Sequence, residues 1–100
     1  MRELTTEEVS SLLDIRIEDV LADLDWCLVE LNGARVVWET PGGVTVKVFP
    51  PTRSFGSVKP ARFDSSVTSN DVDSATIDNL IDGQRLLAPF IHDLNETART

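Results

Sequence analysis

Cysteine and histidine each occur once in this chain, and nine basic residues face seventeen acids. A single cysteine excludes a disulfide framework within one chain. One cysteine and one histidine cannot supply the usual four ligands of a zinc cluster, and no motif supports a carboxylate metal site. No stretch approaches the ~18 apolar residues of a membrane span, and no charged-then-apolar leader opens the chain. The expectation is a cytoplasmic protein with no membrane partner. There is no phosphate-binding glycine loop and no nucleophile motif. Gly42-Gly43 reads as part of a turn, and His92 beside Asp93 as a partly exposed helix residue. A non-enzyme without metal or cofactor is therefore expected.

What is present is an ordinary globular composition, 41% hydrophobic and 26% charged. One hundred residues suit a single domain over 1–100, long enough to bury one core. The net charge of −8 is unevenly spread. Residues 1–30 carry −7, with nine acids against Arg2 and Arg16; residues 31–63 carry +4, and residues 64–100 carry −5. Such a balance disfavours sequence-blind attachment to nucleic acid or anionic lipid and favours basic partners.

The element pattern predicts an α+β fold. Thr5 or Thr6 suits a helix N-cap, and Thr5 with Glu8 fits a capping box. Val9, Leu12, Leu13, Ile17, Val20, Leu21 and Leu24 recur at helical spacing, with Ile15 pointing away. Three strands follow, Trp26–Leu31, Ala34–Thr40 and Val44–Phe49, rich in β-branched and aromatic residues. Asn32-Gly33 predicts a two-residue hairpin turn, and Pro41-Gly42-Gly43 a second connection. That register gives one inward face of Cys27, Val29, Leu31, Val36, Trp38, Val44, Val46 and Val48. Cys27 reads as a small core residue. Trp26, Leu28, Val37 and Phe49 fall on the opposite face, which is apolar enough to suggest a homodimer contact.

Pro50-Pro51 ends the third strand. Residues 50–73 read as a long, partly mobile loop, with room for a short strand near Arg62–Val67. A C-terminal helix or helix pair follows. Asp73 or Ser74 caps it, and Ile77, Leu80, Ile81, Leu87, Phe90, Ile91 and Leu94 form its apolar stripe. Gly83 weakens it, Pro89 predicts a kink or a break, and residues 95–100 read as a frayed tail.

Leu4-Thr5-Thr6-Glu7-Glu8-Val9, followed by Leu12-Leu13 and Ile15, resembles the opening of excisionase-like and MerR-like helix-turn-helix domains. Val9, Leu13, Ile15 and Val20 match that motif's apolar positions. The resemblance covers about half the chain and implies a turn before a second helix near Arg16, with the hairpin as a wing. Asp14 stands where the family usually has glycine. The would-be recognition helix presents Glu18, Asp19 and Asp23, which repel phosphate. Residues 4–24 thus read either as one amphipathic helix or as a helix-turn-helix.

Two surfaces are candidate contacts. The acidic one comprises Glu7, Asp14, Glu18, Asp19, Asp23 and Asp25; on one continuous helix, Glu7, Asp14, Glu18 and Asp25 would share a side. The basic one comprises Arg53, Lys59 and Arg62 interleaved with Phe55 and Phe63, joined by Arg16 and Lys47 if nucleic acid is the ligand. The leading expectation is a non-enzymatic, acidic protein–protein interaction module, an inhibitor or regulator of a basic partner. Small anti-CRISPR or anti-restriction proteins of phages and mobile elements are similar in size and charge. The alternatives are a winged-helix-like DNA-binding regulator and a structural or assembly subunit.

Overall fold

The computed structural model describes residues 2–67 and 72–100. The fold is α+β. It comprises helices α1 (Thr6–Leu12) and α2 (Ile15–Asp23), strands β1 (Cys27–Leu31), β2 (Val36–Thr40) and β3 (Val44–Phe49), a short hairpin of β4 (Thr52–Ser54) and β5 (Ser57–Lys59), strand β6 (Arg62–Ser65), and the long helix α3 (Ser74–Ala98). The main sheet is antiparallel in the order β1-β2-β3-β6.

Residues 4–24 form two helices. Thr5 and Glu8 make the capping box, Glu8 N donating to Thr5 Oγ1 (3.2 Å) and Thr5 N to Glu8 Oε1 (3.1 Å). The helix stops because Leu13 adopts ψ 82°, and Asp14 then caps the next helix, its carboxylate accepting from Arg16 N at 2.9 Å. An aspartate that can bond the backbone ahead of it competes with helix continuation. Val9, Leu13 and Leu21 are buried, whereas Ile15 is 69% exposed. α2 ends in a Schellman arrangement: Asp25 N donates to Ala22 O (2.9 Å) and Trp26 N to Leu21 O (3.0 Å), with Asp25 at φ 62°.

The β2–β3 register is the one the sequence implies, Thr40 opposite Val44, Trp38 opposite Val46 and Val36 opposite Val48. The β1–β2 register differs. Leu31 pairs with Val36, Glu30 with Val37, Leu28 with Trp38 and Cys27 with Glu39, with an irregularity between Leu28 and Glu30. The connection is therefore the four residues 32–35, closed by Asn32 N donating to Arg35 O at 3.0 Å. Because side chains alternate, the irregularity exchanges the faces of the β1 residues before it, while Leu31 keeps the inner face beside Val36. Cys27 is exposed and Val29 is 53% exposed, while Trp26 is 4% exposed and packs at 6.2 Å from the Trp38 ring. Cys27 is thus no core residue, and Trp26 no part of an outer apolar face.

Residues 50–73 hold more structure than a loop. Besides the β4–β5 hairpin, the short strand expected near Arg62–Val67 forms as β6 and pairs with β3, Val48 opposite Phe63 and Phe49 opposite Arg62, making the sheet four-stranded rather than three. Pro50 and Pro51 are buried. Positions 68–71 of that stretch lie outside the described residues.

α3 covers the inner face through Leu80, Gly83, Leu87, Phe90, Leu94 and Ala98, all buried. Asp73 caps it, accepting from Thr76 N at 2.8 Å. Ile77 and Ile81, expected in the stripe, lie on its flank and are each 41% exposed. The helix runs as one element through Pro89, which sits on the exposed side, where solvent can satisfy the carbonyl left without an N–H donor. It also continues through the expected frayed tail to Ala98, whose carbonyl accepts from Arg2 N at 2.7 Å. Gly83 costs helix propensity but permits close packing. A Cβ there would lie 2.1 Å from Trp26 Cζ2. Asn79 fixes the same indole, accepting from Trp26 Nε1 (2.7 Å) and donating to Leu24 O (2.9 Å).

Candidate interaction surfaces

The acidic residues sit on α1, α2 and the turns that end them. Glu7, Asp14, Glu18, Asp19, Asp23 and Asp25 are all exposed. Because the chain breaks at Leu13–Asp14, Glu7, Asp14, Glu18 and Asp25 do not form a row on one rod. Two of them carry structural duties, Asp14 as a cap and Asp25 as the left-handed residue of the Schellman turn.

Glu18 stands in the first turn of α2, where negative charge is favourable, but the second half of the helix runs against local electrostatics. Asp19 and Asp23 are one turn apart, a like-charge pair that destabilises an isolated helix by about 0.2–0.5 kcal/mol. Asp23 stands in the last turn and Asp25 just beyond it, at the negative end of the helix dipole, and that turn holds no basic residue. The only base within α2 is Arg16, near its start. On α1, Glu8 is matched: Arg2 donates to it from Nη1 at 2.8 Å, and the guanidinium, with the Thr5 amide, holds the carboxyl down at about 2.

The basic residues are only partly brought together. Arg53 and Lys59 lie on the β4–β5 hairpin, Arg53 opposite Val58 and Lys59 opposite Thr52. Arg62 follows on β6, its guanidinium 4.5 Å from the centroid of the Phe49 ring. Lys47 lies on β3 opposite Asp64 and lines a cleft of about 250 Å³ with Thr45, Asp64, Ser65 and Ser66. Arg16 belongs to α2, away from this strand set in sequence and element. Of the two phenylalanines, Phe63 packs partly buried against the core, while Phe55 is fully exposed (106%). Phe55 and Gly56 form the hairpin tip with φ values of 51° and 78°. A left-handed phenylalanine costs roughly 1–2 kcal/mol relative to a residue free of Cβ clash.

The proposed oligomer face is not a face. Trp26 is in the core and Val37 is 6% exposed; Phe49 is half-buried beside Arg62, and only Leu28 is substantially open at 41%.

A shallow groove was not legible beforehand. Glu7, Glu8, Ser11, Leu12 and Thr97 line about 260 Å³, with apolar atoms dominating its wall. It exists because α3 persists to Ala98 beside α1. The four-residue step from Leu94 to Ala98 was the available signal.

Among the described residues, no group of three or more His, Cys, Asp or Glu is arranged to hold a metal, and no helix is long and apolar enough to cross a membrane. His92 Nδ1 lies 3.6 Å from Asp93, both side chains well exposed. Comparison with protein-family models, curated proteins and solved structures finds no match.

Proposed function

We propose that this protein is a non-enzymatic interaction module that uses its acidic α2 surface to capture a basic protein partner, as an inhibitor or regulator. The observation that carries the reading is the placement of Asp23 and Asp25 at the negative end of α2, with Asp19 one turn before Asp23. Carboxylates held there at a local cost, and exposed, suit a partner with complementary charge. Such complementarity chiefly raises association rate and selectivity. The small acidic inhibitors of phages and mobile elements are the class of protein this resembles in size and charge.

The test is quantitative capture from the native host with wild-type bait and a Glu18→Lys/Asp19→Lys variant, read by mass spectrometry. The expected result is a protein retained by the wild type, released by salt, and reduced about tenfold on the variant, equivalent to about 1.4 kcal/mol. An identical retained set for both baits would overturn the reading.

DNA binding is the second reading. The two-helix form of residues 4–24 and the basic hairpin favour it; Glu18, Asp19 and Asp23 on the second helix oppose it. Fluorescence anisotropy with duplex DNA at low salt separates the two, and absence of binding there eliminates this one.

A further inference from the structure

The hairpin tip and the α1–α3 groove are complementary in charge and in apolar character. Phe55 stands fully exposed at φ 51°, between Arg53 and Lys59. No acid occurs from Pro50 to Arg62. The hairpin's substantial contacts are between its own two strands, so the tip stands clear of the domain. The groove offers an apolar wall including Leu12, with Glu7 and Glu8 beside it. Arg2 already engages Glu8, which leaves the Glu7 carboxylate for an incoming cation.

We infer that the groove is occupied by the hairpin of a second copy of this chain. Phe55 of one copy enters against Leu12 of the other, and Arg53 and Lys59 meet Glu7 and the acids of the helix pair. The topology allows both contacts at once. Val36 pairs with Val48 and Phe49 with Arg62, so the 32–35 turn and the hairpin leave the sheet at one end. Gly33 N donates to Thr6 Oγ1 at 3.2 Å, and Arg2 N to Ala98 O at 2.7 Å, which brings the start of α1 and the end of α3 to that end too. Knob and groove therefore share one end of the molecule, and a reciprocal exchange closes a two-fold dimer rather than a filament. The −8 net charge opposes nucleic acid, anionic lipid and a second copy alike, so the choice of a second copy rests on the local match between the acid-free hairpin and the groove flanked by Glu7. Two hairpin tips bury less than a standard interface of about 1,200–2,000 Å², which places the dimer among small, transient contacts.

Self-association of this kind needs no external partner and is measured on the purified chain alone. Sedimentation equilibrium over a hundredfold concentration range, at low and high salt, reads the mass. The expected result is a rise from 11.0 kDa toward twice that value, suppressed by salt. Phe55→Ser and Ser11→Arg, both at exposed positions, each weaken association about tenfold or more. An equimolar mixture of the two variants associates more tightly than either alone, because one intact hairpin meets one intact groove. A monomer at every concentration, a Phe55→Ser variant that associates like wild type, or a mixture no better than its components would each overturn the proposal. So would Phe55-dependent capture of a single-stranded oligonucleotide by a protein that never self-associates.

Discussion

The turn at 32–35 and the turn at 55–56 invert what their residues suggest. Asn32-Gly33 has the composition of a tight two-residue hairpin, yet it opens into a four-residue connection. Phe55-Gly56 has an unsuitable first residue, yet it adopts the two-residue form with both φ values positive. The first turn is shaped by tertiary contact. Gly33 lies against the Leu4 carbonyl, Asn32 Oδ1 accepts from the amides of Ala34 (2.8 Å) and Arg35 (2.9 Å), and Thr6 accepts from Gly33. The second turn is open: Phe55 is fully exposed, and a Cβ on Gly56 would meet no atom within 4 Å. A strained residue that serves packing is explained by packing. One that serves none is a candidate for function.

That contrast breaks if substitutions in the two turns behave alike. Gly33→Ala has the largest expected effect. Its Cβ would lie 2.6 Å from the Leu4 carbonyl oxygen, so the N-terminal segment must shift, at a cost of about 1–3 kcal/mol by chemical denaturation. Asn32→Ala removes a carbonyl that serves two backbone amides and should cost about 1 kcal/mol. Phe55→Asn should have the opposite sign. Asparagine tolerates the left-handed region, so thermal stability should rise by roughly 0.5–1 kcal/mol while self-association falls. A loss of stability there would show that Phe55 serves the fold after all.

Asp23→Lys carries the same logic to α2. It exchanges an unfavourable charge for a favourable one at the helix end, and should stabilise by about 0.3–1 kcal/mol while weakening capture of a basic partner. The smallest effect concerns Glu8, whose carboxyl is drawn from its ordinary value near 4.5 down to about 2, first by the Arg2 hydrogen bond and then by the Thr5 amide. A depressed carboxyl contributes stability above the unfolded-state value and loses it as pH falls through the folded-state value. The stability gap between wild type and Glu8→Gln should therefore be present at neutral pH and close between about pH 4.5 and pH 2 in acid-unfolding curves.

Local chemistry made several parts of the fold legible. Thr5 with Glu8 and Asp73 mark helix starts because their side chains satisfy amides only a few residues away. The alternation of Val36, Trp38, Val44, Val46 and Val48 fixed the inner face of β2 and β3. Both surfaces proposed to bind were visible as charge, but their arrangement was not. Asp14 joins or separates two helices according to a single cap, and Ile15 is exposed although the helices do separate. Cys27 and Trp26 exchanged environments because an irregularity near Val29 moved β1 by one position.

The sequence alone determined the α+β class, the net charge and its segregation, the β2–β3 register and the caps of the first and last helices, since each depends on neighbours within a few residues. Tertiary structure decided the face of the first half of β1, the pairing of β6 with β3, the persistence of α3 to Ala98 and the projection of Phe55. These depend on contacts between residues far apart in the chain. Trp26 lies against Gly83, Ala61 N donates to Asn95 Oδ1 at 2.8 Å, and Gly33 meets the Leu4 carbonyl. No local periodicity encodes such pairings.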